Sequence, residues 1–309
     1  MMYFMLARRD AEPARRESAR CLVCGADAPL QGQRNGYPFH RCPRCGLLFA
    51  WPLPEDTADI YAEDYYAGGR RGFGYVDYDR DKRPMAPTFE KYLDLLAKRQ
   101  PPPGRLLDVG AATGFFLALA RPRGWDVRGV DLSEYACQVA RGKGLDVFCG
   151  SLEQYPAADA SFDVVTMWDV IEHFPDPRGA LSAAQRLLKP GGLLALNTPD
   201  AGSLVARLLG LRWHLVAPPE HLVLFHQDSL KRLLNEAGFE VLQTACIGKR
   251  FTVQYIAQTL AHWQGGPLWS SLAEALHQRS FGSWGVPVNL FDNLFLIARK
   301  RQDPPSRGW

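Results

Sequence analysis

The stretch Leu106-Leu107-Asp108-Val109-Gly110-Ala111-Ala112-Thr113-Gly114-Phe115-Phe116 decides the fold of this chain. The apolar run up to Val109 predicts a buried strand, and the run from Phe116 onward predicts a helix. The two glycines between them allow a tight turn and let a ligand lie close to the backbone. In an open α/β sheet, ligands sit beyond the carboxyl ends of the strands, which is where this turn falls.

The glycine spacing indicates which ligand the turn suits. A dinucleotide site needs Gly-x-Gly-x-x-Gly, but counting from Gly110 the chain has Ala112 and Phe115 at the other two positions. The sequence therefore disfavours pyrophosphate binding. Asp131 ends the next predicted strand, 21 residues after Gly110. A carboxylate at that place suits the two hydroxyls of a ribose.

The turn Asp108-Val-Gly-Ala-Ala-Thr-Gly114, followed by Val130-Asp131-Leu132-Ser133, resembles the class I S-adenosylmethionine-dependent methyltransferases. The resemblance covers about residues 85–300 and also rests on the Asp169 region and on Lys189-Pro190-Gly191-Gly192. Strands alternate with helices and a late strand pair follows. This order predicts the α/β class, a doubly wound, Rossmann-like sheet with an antiparallel last strand.

The resemblance implies S-adenosylmethionine as the cofactor and places it along the strand ends. Ser151 and Leu152 follow the third strand, where related enzymes hold adenine, although a simple strand–helix turn is the alternative. Trp168 either stacks near the sulfonium, as an aromatic face attracts a cation, or packs in the core. The cofactor candidates are Asp108, Gly110, Ala111, Thr113, Gly114, Asp131, Leu132, Ser151, Leu152, Trp168 and Asp169.

Methyl transfer from a sulfonium needs mainly alignment of the nucleophile and exclusion of water. A hydroxyl or amine acceptor must also lose a proton, so one base within reach helps. His173, His214 and His221 are the candidate bases, because histidine titrates near neutral pH. His221 is preferred because it lies between pocket-forming segments. A structural hydrogen bond is the alternative role for each of the three.

A second chemistry is suggested by Asp169, Glu172 and His173, whose spacing puts them on one face if they share a helical turn. Oxygen and imidazole ligands could then hold a divalent ion. The pattern is similar to the acidic-acidic-His motif of ubiquinone-pathway O-methyltransferases and small-RNA 2′-O-methyltransferases, some of which use a metal. Asp169 departs from the Glu usually found first in that motif.

Four cysteines near the N-terminus form two Cys-x-x-Cys pairs, Cys21/Cys24 and Cys42/Cys45, separated by 17 residues. This spacing predicts a four-thiolate zinc site. Four thiolates close a tetrahedral shell, so we expect a structural Zn²⁺ rather than a catalytic one. The alternatives are two fortuitous pairs or a redox dithiol. Cys137, Cys149 and Cys246 stand alone and are expected to be core thiols rather than ligands.

The domain prediction follows from these motifs. We divide the chain into a disordered tail (1–20), a zinc ribbon (21–51), a linker that is either a lid or a plain surface loop (52–84), the methyltransferase domain (85–300) with acceptor-pocket insertions (200–226 and 250–287), and a tail (301–309). No apolar run approaches the roughly 18 residues of a membrane span. The start of the chain is unlike a signal peptide, so we expect a cytoplasmic protein.

The leading functional hypothesis is methyl transfer to a small molecule, at a hydroxyl of a sugar, a lipid-linked glycan or a secondary metabolite. One alternative is an RNA or protein methyltransferase whose zinc ribbon grips the acceptor. The net charge of only +3, and three ribbon arginines without a dense basic stripe, disfavour nucleic acid. Those arginines are Arg34, Arg41 and Arg44. The other alternative is a non-catalytic cofactor-binding scaffold. The oligomeric state stays open.

Overall fold

The computed structural model describes residues 17–54, 78–264 and 284–302. The predicted tail over residues 1–16, the lid residues 55–77, residues 265–283 of the second insertion and residues 303–309 lie outside the described residues.

The described strands and helices alternate through most of the chain. The strands are β1 (Ser18–Arg20), β2 (Asp27–Arg34), β3 (Tyr37–Arg41), β4 (Leu48–Ala50), β5 (Gly104–Val109), β6 (Trp125–Asp131), β7 (Val147–Cys149), β8 (Phe162–Trp168), β9 (Leu188–Pro199), β10 (Val223–Leu224), β11 (Phe239–Cys246), β12 (Lys249–Thr252), β13 (Gly285–Val288) and β14 (Asn293–Lys300). The helices are α1 (Tyr78–Lys82), α2 (Ala86–Ala97), α3 (Phe115–Ala120), α4 (Glu134–Gly142), α5 (Pro177–Leu187), α6 (Leu204–Leu209), α7 (Gln227–Glu236) and α8 (Val253–Gln264). Short 3-10 turns include Arg83–Met85 and Ile171–His173.

Seven strands form the main sheet in the order β11-β14-β9-β8-β5-β6-β7. Strands β5 to β9 run parallel, and β14 is antiparallel to both of its neighbours. The predicted doubly wound sheet with an antiparallel last strand is confirmed. The last strand lies between β9 and β11, so it is not the edge strand. The sheet's order reverses at β5, which has β6 on one side and β8 on the other, and this is where such sheets bind ligands.

The central strands are buried because both faces of the sheet are covered. Residues 106–109 of β5 and 193–199 of β9 are buried along their whole length, as expected for a sheet packed on both sides. One face packs against α2 and α3 through Phe89, Tyr92 and Phe116. None of the helices in the described ranges is long and apolar enough to cross a bilayer.

A second sheet, of order β1-β2-β3-β4-β10, joins the cysteine-containing ribbon to the rest of the chain. Strand β1 begins at Ser18, inside the segment predicted as a tail. Strand β10 comes from the segment predicted as an acceptor-pocket insertion, and its Val223 lies opposite Phe49 of β4. The domain boundary drawn at residue 51 therefore separates two strands that are hydrogen-bonded to each other.

Arg178 at the start of α5 reinforces this junction. Its Nε donates to the Leu22 carbonyl at 3.3 Å, and its Nη2 donates to the Val23 carbonyl and to Glu236 Oε2, the latter at 2.7 Å. Both carbonyls belong to the first Cys-x-x-Cys loop. The ribbon and the main sheet also share one continuous apolar core. We infer that they unfold as one cooperative unit.

Replacing Arg178 should therefore destabilise the whole chain. We expect Arg178→Ala to lower the free energy of unfolding by about 1–3 kcal/mol, since hydrogen bonds to a charged group and partly buried carbonyls are lost together. Arg186→Ala is the matched control, because Arg186 lies on the same helix and bonds exposed Asp159 and the Ala157 carbonyl, neither of which is in the ribbon. The control should lose less than about 1 kcal/mol. Equal losses in urea unfolding would contradict the bridging role of Arg178.

Candidate functional site

The glycine turn lies where the sequence predicted it, between β5 and α3. Gly110 and Gly114 have φ values of +71° and +80°, a region in which side chains are strained. A Cβ on Gly110 would also lie 2.6 Å from Val170 Cγ2. Substituting this glycine would thus require both backbone strain and a shift of Val170. Both positions of the turn therefore favour glycine over residues with a side chain.

Asp131, at the end of β6, holds the glycine turn in place. Its Oδ2 accepts a hydrogen bond from the Ala112 amide at 2.8 Å, and its Oδ1 accepts one from the Ser133 amide at 2.8 Å. Burial raises the pKa of Asp131 above its usual range, although the amides oppose this. A carboxylate has about four lone-pair sites, so the Asp131 side chain can still accept a hydrogen bond from a ribose hydroxyl.

Asp108 lies behind the turn. Its side chain is only 3% exposed, and its Oδ1 accepts a hydrogen bond from Thr166 Oγ1 at 2.6 Å. Burial raises the pKa of Asp108 to about 8. An acid held neutral at pH 7 in this way becomes ionised more easily when a cation binds nearby.

The other side of the turn contacts α1. Thr113 Oγ1 donates to Asp79 Oδ1 at 2.6 Å, and Lys143 Nζ donates to the Thr113 carbonyl at 2.8 Å while pairing with Asp79. Ala111 of the turn is buried. Sequence reasoning missed Asp79, which lies in the segment interpreted as a linker. Nothing in its local sequence indicates a partner more than 30 residues away.

Three more of the predicted cofactor-binding residues, of which Ser151 and Leu152 were assigned to the adenine, divide into exposed and buried positions. Leu132 is 48% exposed and follows Asp131 directly. Ser151 is partly buried, and its amide donates to Gln154 Oε1 at 3.3 Å. The Leu152 side chain belongs to the main apolar core. Leu132 and Ser151 therefore remain the accessible members of this predicted group.

Trp168 lies in an aromatic cluster on the α2 face of the sheet and is 9% exposed. Its ring stacks parallel to Phe295 with centroids 6.1 Å apart, and lies 4.6 Å from Tyr92 and 5.3 Å from Phe116. Within the described residues, its Nε1 has no hydrogen-bond partner. The structure thus gives Trp168 the core-packing role, and its predicted contact with the cofactor stays a prediction.

Asp169 follows Trp168 with an unusual backbone conformation, φ +54°. Its Oδ1 accepts hydrogen bonds from Asn197 Nδ2 at 2.6 Å and from Lys249 Nζ at 2.5 Å. Burial opposes ionisation, but the charges of Lys249 and Lys82 hold the pKa of Asp169 below its usual value. Sequence reasoning did not identify Lys249, which comes 80 residues later.

Three of the predicted residues meet beyond this strand end. Glu172, His173 and His221 place potential ligand atoms within 4.8 Å of one another, and the two imidazole centroids are 4.9 Å apart. The expected grouping of Asp169 with Glu172 and His173 on one helical turn does not form. The turn is a 3-10 segment, Ile171–His173, and Asp169 precedes it in a left-handed conformation. His221 takes the third place in the cluster instead.

Backbone carbonyls orient both histidines of the cluster. His173 Nδ1 lies 2.7 Å from the Glu220 carbonyl, and His221 Nδ1 lies 2.7 Å from the Leu215 carbonyl. Because a carbonyl can only accept, each Nδ1 carries the proton in these hydrogen bonds. For His221 this leaves Nε2 with its lone pair, free to accept a proton or to bind a cation.

Glu172 completes the cluster as a buried carboxyl. Its Oε2 accepts from Thr198 Oγ1 at 2.8 Å, while Oε1 has no hydrogen-bond partner among the described residues. Burial, with the nearby charge of Asp169, raises the pKa of Glu172 to about 7. Burial and the neighbouring His173 lower the pKa of His221 to about 4. An orphaned buried oxygen of this kind fits a site completed by a ligand.

The third predicted base lies elsewhere. His214 is adjacent to Trp213, whose Nε1 donates to Asp292 Oδ2 at 3.2 Å. Burial lowers the pKa of His214. It is not a member of the Glu172–His173–His221 cluster. The structure therefore brings together two of the three candidate histidines.

The four N-terminal cysteines also converge. The sulfurs of Cys21 and Cys45 are 3.5 Å apart, and those of Cys24 and Cys42 are 3.4 Å apart. All four ligand atoms lie within 4.8 Å of one another. The hydrogen bond from Cys45 lowers the pKa of the Cys21 thiol to about 5. With zinc–sulfur bonds of about 2.3 Å, a tetrahedral site would have sulfurs roughly 3.8 Å apart, so the cluster is compatible with a zinc ribbon.

The glycine turn and the Glu172–His173–His221 cluster both lie in the part of the chain that resembles known proteins. Residues 78–244, more than half of the chain, match the methyltransferase domain family. A ubiquinone biosynthesis O-methyltransferase from Thiobacillus denitrificans is 36% identical over 149 residues, covering 44% of this chain and 64% of the relative. One from Idiomarina loihiensis is 33% identical over 152 residues, covering 44% and 61%. The chain thus spans less than two-thirds of the length of these two curated relatives.

A longer alignment and two solved structures extend the comparison. An O-methyltransferase from Pyrenophora dematioidea is 33% identical over 220 residues, covering 63% of this chain and 79% of the relative. The YcgJ protein of Bacillus subtilis has 19% identity and a TM-score of 0.51, covering 70% of this chain and all of that one. A protein of Bacillus halodurans has 22% identity and a TM-score of 0.51, covering 68% and 98%. These two structures share the fold, and with the match over residues 78–244 this chain belongs to the methyltransferase domain family.

Proposed function

We propose that this chain transfers a methyl group from S-adenosylmethionine to a hydroxyl of a small molecule. The observation that carries the proposal is the Glu172–His173–His221 cluster, which lies beyond the end of β8, beside the glycine turn. The turn and Asp131 suit the adenosine half of the donor. The cluster suits the removal of a proton from the acceptor. The curated relatives are named O-methyltransferases, which supports oxygen as the atom methylated.

In this mechanism the acceptor oxygen attacks the methyl carbon in line with the sulfonium. The new carbon–oxygen bond forms as the carbon–sulfur bond breaks, and the electron pair of that bond leaves as a neutral thioether. His221 Nε2 accepts the hydroxyl proton, since its Nδ1–H is held by the Leu215 carbonyl. Placement of the reactants is the larger contribution, because the leaving group is already activated.

The same three side chains also fit a divalent cation. Two imidazoles and a carboxylate are suitable ligands, the Nδ1 atoms hydrogen-bond to carbonyls as in many metal sites, and Glu172 Oε1 is unpartnered within the described ranges. Such an ion would supply electrostatic stabilisation of the charge that develops on the acceptor oxygen. Glu172, His173 and His221 would then hold the ion, in place of the predicted Asp169 set.

The zinc ribbon is proposed as a structural element of this site rather than as a grip for RNA or protein. The Ala50 amide donates to the Leu222 carbonyl at 2.9 Å, and the Leu222 amide donates to the Glu172 carbonyl at 3.2 Å. The ribbon is therefore two hydrogen bonds from the cluster. Arg41, one of the ribbon's arginines, donates to the Ala201 carbonyl at 3.3 Å, which leaves it less available for phosphates.

A non-catalytic cofactor-binding scaffold is the remaining alternative. A buried, unpartnered carboxylate oxygen beside two histidines costs folding free energy. Such a cluster is retained more readily where it does chemistry. The sugar, lipid-linked glycan or secondary-metabolite acceptor stays a prediction by analogy. Incubation of cell extract with a labelled methyl donor, followed by mass spectrometry, would identify the acceptor.

Asp131→Ala should weaken the affinity for S-adenosylmethionine by more than about tenfold, since hydrogen bonds to a charged group contribute about 1.5–3 kcal/mol. The two amides that Asp131 anchors also lose their acceptor, so circular dichroism should accompany the calorimetry. Asp126→Ala is the matched control, because Asp126 lies exposed on the same strand and pairs with Arg128. A wild-type dissociation constant for Asp131→Ala would contradict the assignment.

His221→Ala should reduce methyl transfer by about a hundredfold or more, as expected for loss of a positioned base. His214→Ala should retain activity because it lies outside the cluster. Both variants should bind the donor normally. If only His214→Ala lost methyl-transfer activity, the base would be His214 and not His221.

Electron paramagnetic resonance of added Mn²⁺ separates the role of His221 as a base from its role as a metal ligand. Loss of Mn²⁺ binding in both His221→Ala and Glu172→Gln would support the cation site. No Mn²⁺ binding by wild type would leave His221 as a base alone.

Cys42→Ser should remove about one zinc ion per chain, because four thiolates are needed to close the site. Cys246→Ser is the control, since Cys246 is not part of the cluster and is exposed, so the core position expected for it is wrong. Zinc loss should also increase hydrogen exchange in peptides covering residues 213–226, which β4 holds through β10. Protein that contains no zinc when purified with reduced thiols would contradict the proposal.

A further inference from the structure

A basic cavity lies beside the proposed transfer site and has no role in the mechanism above. Its volume is about 420 Å³, and it is lined by Arg80, Arg83, Pro84, Pro87, Arg250 and Gly285. Three guanidinium groups line this cavity, and none of the lining residues in the described ranges is acidic. Since a water molecule occupies about 30 Å³ in the liquid, the cavity has room for a group as large as a diphosphate.

Arg83 and Arg250 retain N–H donors that can face a ligand. Arg80 pairs with Asp81 at 3.2 Å, and Arg250 Nη2 donates to the Gly285 carbonyl at 2.8 Å. Arg83 is exposed, and its side chain makes no hydrogen bond or ion pair with the described residues. A guanidinium has five N–H donors. The bond to the Gly285 carbonyl therefore accounts for one of the five donors of Arg250.

The walls of the cavity are connected to the methyl-transfer site. One wall is α1 with the 3-10 turn that follows it, and Asp79 of α1 bonds Thr113 of the glycine turn. The other wall is the hairpin of β12 and β13, where Lys249, adjacent to Arg250, bonds Asp169. The walls approach closely, because a Cβ on Gly285 would lie 3.0 Å from Pro84 Cβ. A group bound here would be next to the end of β8.

We propose that this cavity binds a phosphate or diphosphate group of the methyl acceptor. The inference rests on the proposed function, because it assigns the part of the acceptor that is not methylated. The phosphate end would be held by Arg80, Arg83 and Arg250, and the hydroxyl end would extend toward His221. Binding energy from such a remote anionic group would position the hydroxyl for in-line attack.

The number and type of the cations favour phosphate over a single carboxylate. Arginine forms paired hydrogen bonds with phosphate oxygens, and three arginines offer more donors than one carboxylate can accept. Among the described lining residues, the cations are arginines and none is a lysine, whose ammonium is a compact point charge. Asp81 offsets one positive charge through its pair with Arg80, which leaves a net positive site that suits a dianion.

Arg83→Gln is the direct test, with inorganic pyrophosphate as the probe and calorimetry as the measurement. We expect pyrophosphate to bind wild type at one site and to bind Arg83→Gln about tenfold more weakly, since charge-assisted hydrogen bonds are lost. Arg44→Gln is the control, because Arg44 is exposed, has no partner among the described residues and lies in the ribbon. It should bind pyrophosphate like wild type. Donor affinity should be the same in all three proteins.

Three results would overturn the inference. Equal pyrophosphate affinity in all three proteins would indicate non-specific binding. Malonate binding as tightly as pyrophosphate would indicate a carboxylate site. A loss of S-adenosylmethionine affinity in Arg83→Gln would assign the arginines to the carboxylate of the donor. Failure of the proposed function would be seen separately, because wild type would then not bind S-adenosylmethionine. The difference in pyrophosphate affinity between wild type and Arg83→Gln would be unaffected.

Discussion

The carboxylate of Asp131 is the interaction on which the site depends. It bonds the amides of Ala112 and Ser133, and so joins the glycine turn after β5 to the start of α4. The two strand ends that would face a bound nucleoside are thereby fixed relative to each other before any ligand arrives. Such preorganisation reduces the entropy lost on binding. The left-handed backbone at Gly110 and Gly114 is maintained at the same place.

The ribbon and the main sheet form one structure through strand β10. This short strand continues the ribbon's sheet, and Leu222 just before it contacts the Glu172 carbonyl. The position of His221 is thus set by both halves of the chain. A small cysteine-rich module can gain its folding free energy from a metal. Here that free energy would also hold an element of the proposed acceptor site, which explains why the ribbon is not a separate appendage.

Sequence patterns predicted the parts of the molecule that depend on local chemistry. The Asp108–Gly114 turn, Asp131 at the next strand end, the alternating strands and helices and the paired cysteines all carry local signals of spacing or periodicity. The pairing of β10 with β4, the Asp169–Lys249 ion pair and the Asp79–Thr113 hydrogen bond carry none. These contacts join residues from 34 to 176 positions apart, and nothing in either local sequence specifies the partner.

The cluster beyond β8 illustrates the same limit within one motif. Helical spacing grouped Asp169 with Glu172 and His173, but the left-handed conformation of Asp169 directs it to Lys249. His221 was identified as a candidate base, yet its proximity to Glu172 and His173 depends on the carbonyls of Leu215 and Glu220. Residue types were therefore predictable here, while their grouping required the fold.

A crystal structure with S-adenosylhomocysteine bound would test the central claim most directly. The account predicts the nucleoside beyond the carboxyl end of β5, above Gly110, with both ribose hydroxyls within hydrogen-bond distance of Asp131. The sulfur should face the Glu172–His173–His221 cluster. Density for the ligand at another place, or an empty crevice above Gly110 at saturating ligand, would contradict the account.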